Sequence, residues 1–331
     1  MANKNLDFLL SEYDEKRRIA ELKFEKLKEQ VYKNYPRIEE IDLQINKLSI
    51  NKAKLILTNN SQIDVIDENI QNLKNEKNEI LSNANIDLKI NYECNICNDT
   101  GYIKRENQKT IMCNCLKQKL LNLSYNMSNL SDIKKDCFEN FNENLFSEEI
   151  NEPKYRSKIS PRKNILAIKK ACTKFINNFD NLEEKNLLFI GNTGLGKTYM
   201  SNCIANSLIQ NGKTVLYQTA PVLLETVIDN KFNKYKNQNA DTFYNNILTV
   251  DLLIIDDLGA ECLNSMKVSE LFTILNTRIL NLNNKPTKTI ISTNLTIEQI
   301  FKIYEERIGS RIAGFYNIYQ FLGEDLRLKK R

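Results

Sequence analysis

A chain of 331 residues, 41% hydrophobic and 27% charged, is long enough for one large domain plus a substantial appendage, and its balance excludes fibrous and wholly disordered classes. Its 47 basic and 42 acidic residues leave a formal charge of +5, which permits a nucleic-acid surface without establishing one. Histidine is absent, so imidazole acid–base catalysis, Ser–His and Cys–His nucleophiles and histidine metal ligands are excluded, whereas phosphoryl transfer by Mg²⁺, carboxylates and cations is not.

No apolar run approaches the eighteen or so residues that span a bilayer, and Asp7 and Glu12 interrupt any signal-peptide core. The expectation is a cytoplasmic protein with no membrane partner. In that compartment the eight cysteines are expected as metal ligands where clustered and as core filler where isolated, namely Cys137, Cys172, Cys203 and Cys262.

Leu6, Leu10, Tyr13, Ala20, Phe24, Leu27 and Val31 keep a three/four spacing that predicts an amphipathic helix. Asn34-Tyr35-Pro36 breaks it, and Pro36 suits the first turn of a second helix carrying Ile38, Ile41, Ile45, Leu48 and Leu55. After Thr58-Asn59-Asn60-Ser61 a third follows with Ile63, Ile66, Ile70, Leu73 and Ile80. Residues 1–90 are thus expected as a helical hairpin or coiled coil, either a spacer or a docking module for a protein partner.

Cys94-Asn95-Ile96-Cys97 and Cys113-Asn114-Cys115 give C-x₂-C and C-x-C. Four thiolates suit tetrahedral Zn²⁺, so residues 91–120 are expected as a closed structural zinc knuckle, with Gly101 allowing its tight turn; reduced thiols are the alternative. Residues 121–163 are polar and broken by Pro153 and Pro161, a linker from which Phe138 and Phe141 can clip onto the next domain. A helix with Ile165, Ile168, Cys172, Phe175 and Phe179 is expected from Asn164.

The apolar run 187–190 then enters Gly191-Asn192-Thr193-Gly194-Leu195-Gly196-Lys197-Thr198, which reads G-x-x-x-x-G-K-T. In such a phosphate-binding loop the glycines let backbone N–H groups converge on phosphate, Lys197 reaches the outer phosphates of ATP and the Thr198 hydroxyl can ligate Mg²⁺. A helix with Met200, Cys203, Ile204 and Leu208 should follow, presenting its N-terminus to the anion. Short apolar runs at 214–219, 252–255 and 289–293 alternate with helical stretches, so residues 164–331 are expected as an α/β domain with a parallel sheet flanked by helices. The run 252–255 delivers Asp256 and Asp257 to the sheet edge, the Walker B pattern: Asp256 to hold Mg²⁺, Asp257 as the base that orients the attacking water. Ser292-Thr293 ends in Asn294, which can either position that water or merely cap a turn. Arg307 and Arg311 share one face of a later helix, and Gly323-Glu324-Asp325-Leu326-Arg327 precedes a basic end, Lys329-Lys330-Arg331.

This order of motifs resembles the AAA+ ATPases. LIIDDLGAE at 253–261, STNL at 292–295, ERIGSRI at 306–312 and GEDLR at 323–327 are more closely similar to the bacterial DnaC/DnaI helicase loaders and their IstB-like ATP-binding relatives. The resemblance covers roughly residues 137–331. It implies an AAA+ fold and ATP hydrolysis, with Asn294 as sensor 1, Arg311 as the arginine finger of a neighbouring subunit in a ring or spiral, and Arg327 as sensor 2. Arg307 or Arg278 would be the next choice of finger. The implied role is loading of a replicative hexameric helicase, bound through the N-terminal region, onto single-stranded DNA; an IstB-like transposition helper on duplex DNA and a weakly hydrolysing nucleotide-gated adaptor are the alternatives. Such proteins commonly carry Glu where Asp257 stands, one methylene longer, which bears on the rate of hydrolysis.

Overall fold

A computed structural model describes residues 2–57, 63–104, 110–124, 136–232, 240–282 and 285–328. The expected turn at 58–61, part of the linker and the basic end 329–331 lie outside these. The chain divides into two compact units, Asp7–Cys113 and Asn114–Arg331, the latter joined by the first six residues. No described helix is long and apolar enough to cross a membrane.

The first unit holds three long helices, α1 (Ala2–Asn34), α2 (Pro36–Leu57) and α3 (Ile63–Asn83), as the three/four spacing predicts. Pro36 opens α2, and Ile38 and Ile41 beyond it are fully buried. Charge pairs link α2 to α3 in antiparallel register: Arg37 to Glu76 at 2.8 Å, Asp42 to Lys77 at 2.6 Å, and Lys52 to Asp67. On α1 the deeply buried residue of the first turns is Leu9, one position from the expected Leu10. No residue of α3 is fully buried, so its isoleucine seam is only half covered. Beyond the helices, β1 (Tyr102–Lys104) and β2 (Thr110–Met112) pair antiparallel.

In the second unit β3 (Asn186–Ile190), β4 (Val215–Thr219), β5 (Leu252–Leu258), β6 (Lys288–Thr293) and β7 (Tyr316–Gln320) form one parallel sheet in the order β4-β5-β6-β3-β7. β3, β6 and the first five residues of β5 are buried throughout, as expected of strands covered on both faces. This order sets the tip of β6 directly beside the loop that leaves β3.

β7 escapes the sequence reading because it is an edge strand in which only Tyr316 is fully buried, while Ile318 and Gln320 are exposed and its apolar residues show no clean alternation. The helix expected from Asn164 starts three residues earlier, at Pro161, where the Ser160 side chain accepts from the Lys163 N–H and caps it. Phe138 and Phe141 do pack on the core, and Phe146 is buried beside them. A helix at Asn114–Ser124 was also unforeseen; its Gln118 amide both accepts from Val215 N (2.7 Å) and donates to Val215 O (2.9 Å), pairing with the outer edge of β4. Of the isolated cysteines, Cys172 and Cys203 are core residues as expected, but Cys262 is exposed and Cys137 half-buried, because their neighbours lie in loops rather than on buried faces.

Candidate functional site

The candidate nucleotide site is built on the tips of β3, β5 and β6. Gly191, Gly194 and Gly196 adopt φ of 151°, 76° and 88°, conformations that carry a side chain only at a cost. A Cβ on Gly191 would meet the Phe321 carbonyl oxygen at 2.8 Å. The loop turns into the helix Lys197–Gln210, which has no side-chain cap. Its first N–H groups therefore face the loop with no acceptor supplied by a cap, and the helix dipole favours an anion there.

Lys197 is almost wholly buried. Its Nζ donates to Gly191 O (2.6 Å), Asn192 O (2.8 Å) and Asn294 Oδ1 (2.7 Å). Asn294 thus stands at the phosphate loop rather than merely closing its own turn. Burial pulls the Lys197 ammonium below its ordinary pKa, and the charges of Asp257 and Asp256 pull it back up.

Thr198 Oγ1 donates to Asp256 Oδ2 at 3.0 Å, bringing the two expected Mg²⁺ partners together. Two residues that the sequence reading missed hold Asp256 from below: the Tyr217 hydroxyl donates to Oδ2 and the Ser292 hydroxyl to Oδ1. Their signal is positional, since Tyr217 pairs with Ile254 in the register of β4 on β5 and Ser292 lies two residues before Asn294. Asp257 lies where the register of β5 on β6 shifts, at φ 54°, and is exposed. Partial burial of its carboxyl and the adjoining Asp256 charge push its pKa up, against the pull of Lys197 and Arg327.

The GEDLR segment clasps the loop from the other side. Leu326 N donates to Gly194 O at 3.0 Å, and Asp325 Oδ1 accepts from Arg327 N at 2.9 Å. The Arg327 side chain is exposed, yet its charge is felt at both Lys197 and Asp257.

Arg307 and Arg311 both stack on Phe272, with guanidinium carbons 5.0 and 4.7 Å from the ring centre. Arg311 Nε donates to Asn276 Oδ1 at 3.0 Å, and its hydrogen bonds reach no residue of the phosphate loop. Arg278, the reserve finger, is ruled out as one by its placement: it is 1% exposed and donates to Ile247 O, Val250 O, Lys288 O and Thr289 Oγ1. Burial pushes its pKa down to about 10, which leaves it charged at neutral pH.

The donor set fits the groups expected of it. A hydroxyl and a carboxylate within 3.0 Å of each other are hard oxygen ligands for Mg²⁺. The Sγ atoms of Cys94, Cys97, Cys113 and Cys115 lie within 4.8 Å of one another, Cys94 and Cys113 at 3.9 Å. Tetrahedral Zn–S bonds of about 2.3 Å require sulfur atoms roughly 3.8 Å apart. Asn98, Asp99 and Gly101 make the turn at positive φ, and Asp99, 2% exposed, accepts from the Glu93 and Cys94 N–H groups, both at 2.9 Å.

Residues 128–330, well over half of the chain, match the family described as IstB-like ATP binding protein. The chromosomal replication initiator DnaA of Buchnera aphidicola subsp. Cinara cedri is 35% identical over 135 residues, 40% of this chain and 29% of the relative. The replicative helicase loader DnaC of Buchnera aphidicola subsp. Baizongia pistaciae is 36% identical over 91 residues, 28% of this chain and 36% of the relative. The chain therefore spans about a third of the length of these two relatives. Among solved structures, a DnaC helicase loader superposes with a TM-score of 0.42 at 19% identity, over 55% of this chain and 96% of that one.

Proposed function

The chain belongs to the IstB-like ATP-binding proteins, and from that premise we propose that it is an ATPase of DNA replication, a helicase loader that couples ATP binding and hydrolysis to placing a replicative helicase on single-stranded DNA. The observation that carries the ATPase reading is the convergence of three strand tips: Lys197 on Asn294 and Thr198 on Asp256. In this reading the loop N–H groups and Lys197 bind the phosphates, Asn294 and Asp257 orient the attacking water, and Arg327 adds positive charge from the GEDLR segment. Mg²⁺ held by Thr198 and Asp256 would neutralise charge developing on the outer phosphates. The likeness to DnaC over part of its length supports the loader role, with the helical unit of α1–α3 as the helicase-docking module and the four cysteines holding a structural zinc.

Arg311 acts on a neighbour's nucleotide. Phosphoryl transfer needs positive charge near the γ-phosphate beyond Lys197 and the metal, and Arg311 reaches nothing in its own loop. The subunits then assemble into a ring or spiral.

Mixing tests this. Lys197→Ala should lose nucleotide binding, and Arg311→Ala should bind ATP but not cleave it. Combining the two should restore turnover, because an Arg311→Ala site borrows the finger of a Lys197→Ala partner. A mixture that stays inactive although co-assembly is verified would remove Arg311 as the finger and turn attention to Arg307.

A further inference from the structure

Glu261 ends LIIDDLGAE, three residues past the Walker B strand Leu252–Leu258, where a carboxylate could be taken for a second catalytic one. It is not placed as one. It is 8% exposed and both oxygens are occupied, Oε2 by the Gly259 N–H at 2.9 Å and Oε1 by the Tyr304 hydroxyl. Tyr304 is fully buried. Burial first, and then the hydrogen bond to Glu261, raise the pKa of its phenol, so it keeps the proton it donates.

Each end of this bridge is tied to a part of the site. On one side, Ala260 N donates to Asp257 O at 3.1 Å and Gly259 sits against Leu295, where a Cβ would come within 2.8 Å of Cδ1. Leu295 follows Asn294, so the loop after Asp257 is already pressed on the strand tip that carries it. On the other side, Tyr304 joins the helix Ile297–Ile303 to the helix Glu305–Phe315, which carries Arg307 and Arg311. Tyr304 is the one residue between the two helices. Glu305 sits at φ 65°, Tyr304 N donates to Ile300 O at 2.9 Å, and Gly309 lies so near Phe301 that a Cβ would approach within 2.6 Å.

We infer that Glu261 and Tyr304 are a positioning pair that locks the Asp257 loop and the Arg307–Arg311 helix into one register, so that a subunit's own hydrolytic loop and the finger it offers its neighbour move together. This rests on the reading of Asp257 and Arg311 given above. Neither residue touches the reacting atoms. The consequence is a link between neighbouring sites: a change of the loop around one γ-phosphate is passed through Glu261 and Tyr304 to the arginine helix that serves the next subunit. The contiguous hydrogen bonds and the two close glycine contacts are its physical path.

The test uses the full-length chain. Tyr304→Phe deletes the hydroxyl alone and Glu261→Ala deletes the bridge from the other end. Both should keep wild-type ATP affinity, and turnover should fall about 10- to 100-fold, the scale of an ångström-sized misplacement of catalytic groups. Glu261→Gln should fall between wild type and Glu261→Ala, because its amide oxygen can still accept from Gly259 N–H while its NH₂ faces the phenol oxygen and leaves the phenol proton without its acceptor.

Mixing then separates the two arms. Tyr304→Phe should neither be restored by Lys197→Ala, which offers a sound finger, nor restore Arg311→Ala, which offers a sound site. Restoration by Lys197→Ala would mean that the pair serves the finger alone, and restoration of Arg311→Ala would mean that it serves Asp257 alone; either overturns the inference, as does undiminished turnover. Glu261→Ala must give the same pattern, so an unstable Tyr304→Phe does not block the test. An Arg311→Ala and Lys197→Ala mixture serves as control, and its failure strikes the finger assignment rather than the pair's effect on its own site.

Discussion

Replacing Gly194 by alanine probes the junction between the phosphate loop and the GEDLR segment. Gly194 has φ 76°, and a Cβ there would lie 1.8 Å from Asp325 Oδ1 and 2.2 Å from its Cγ. Left-handed backbone costs a non-glycine residue roughly 1 kcal/mol. Forcing the carboxylate aside adds about 2 kcal/mol, the middle of the range for overpacking. Asp325 cannot yield alone, since its Oδ1 accepts from Arg327 N and Leu326 N bonds Gly194 O; the segment lifts and takes Arg327 with it. If the loop must hold its present shape to bind phosphate, the two costs together weaken ATP binding by about 100-fold or somewhat more. Gly194→Ala/Asp325→Ala removes the clash and leaves the strain, so most of the loss should be recovered, to within roughly fivefold of Asp325→Ala alone. Titration calorimetry with ATP and Mg²⁺ on the four proteins, each first checked by thermal melting, reads the cycle. Wild-type affinity in Gly194→Ala, or a double mutant no better than the single, would refute the reasoning.

Because burial and the neighbouring Asp256 raise the Asp257 pKa, and only the ionised carboxylate can accept a proton from water, turnover should fall on acidification at a pH above the ordinary aspartate value of about 3.9. Single-turnover hydrolysis across pH should show that limb in the wild type and a low, limb-free rate in Asp257→Asn with ATP binding intact; equal rates would take Asp257 out of the chemistry. Elemental analysis should find one zinc per chain, lost in Cys94→Ser and in Cys113→Ser with the ATP affinity of the second unit preserved. Metal-free protein with unchanged thermal stability would end the zinc reading.

The parts of this site that could be read in the sequence are those whose neighbours in the chain dictate their place. Gly191 to Thr198 is a local motif between a buried strand and a helix, and Asp256 is delivered by four apolar residues that can only be an interior strand. Asn294 is ambiguous as a residue, and topology sets it beside the phosphate loop, since β6 lies beside β3. What stayed hidden is held by partners distant in sequence. Nothing near Tyr217 announces that its hydroxyl supports Asp256, 39 residues away, and Glu261 meets Tyr304 across 43. Gln118 and Val215 pair across 97, between the end of the segment expected as a zinc knuckle and a strand edge. Such bonds arise only after packing, because each group is polar, short of reach and unremarkable at its own position.

Arg278 is the instructive case, since it was a next choice of finger and its burial is legible in the spacing around it. Leu271, Ile274 and Leu275 form a buried stripe on the helix Ser265–Asn281, and the next step of that stripe is Arg278. Periodicity alone places it inside, which is incompatible with its being a reserve finger. The core accepts it because the carbonyls of Ile247, Val250 and Lys288, with the Thr289 hydroxyl, supply four acceptors, which satisfies the guanidinium without a carboxylate. An arginine so enclosed cannot reach another subunit. If a neighbour's cation completes each site, as proposed above, it comes from the helix Glu305–Phe315, where Phe272 gathers Arg307 and Arg311 on one face. Of these two, Arg307 is exposed and pairs with Glu305 at 2.7 Å, whereas Arg311 is half-buried, bonded to the Asn276 amide and the Arg307 carbonyl and stacked nearer to Phe272. Arg311 therefore gives up more than Arg307 to turn outward, so its proposed finger role rests on its place in ERIGSRI, and the mixing experiment with Arg311→Ala is what decides between the two.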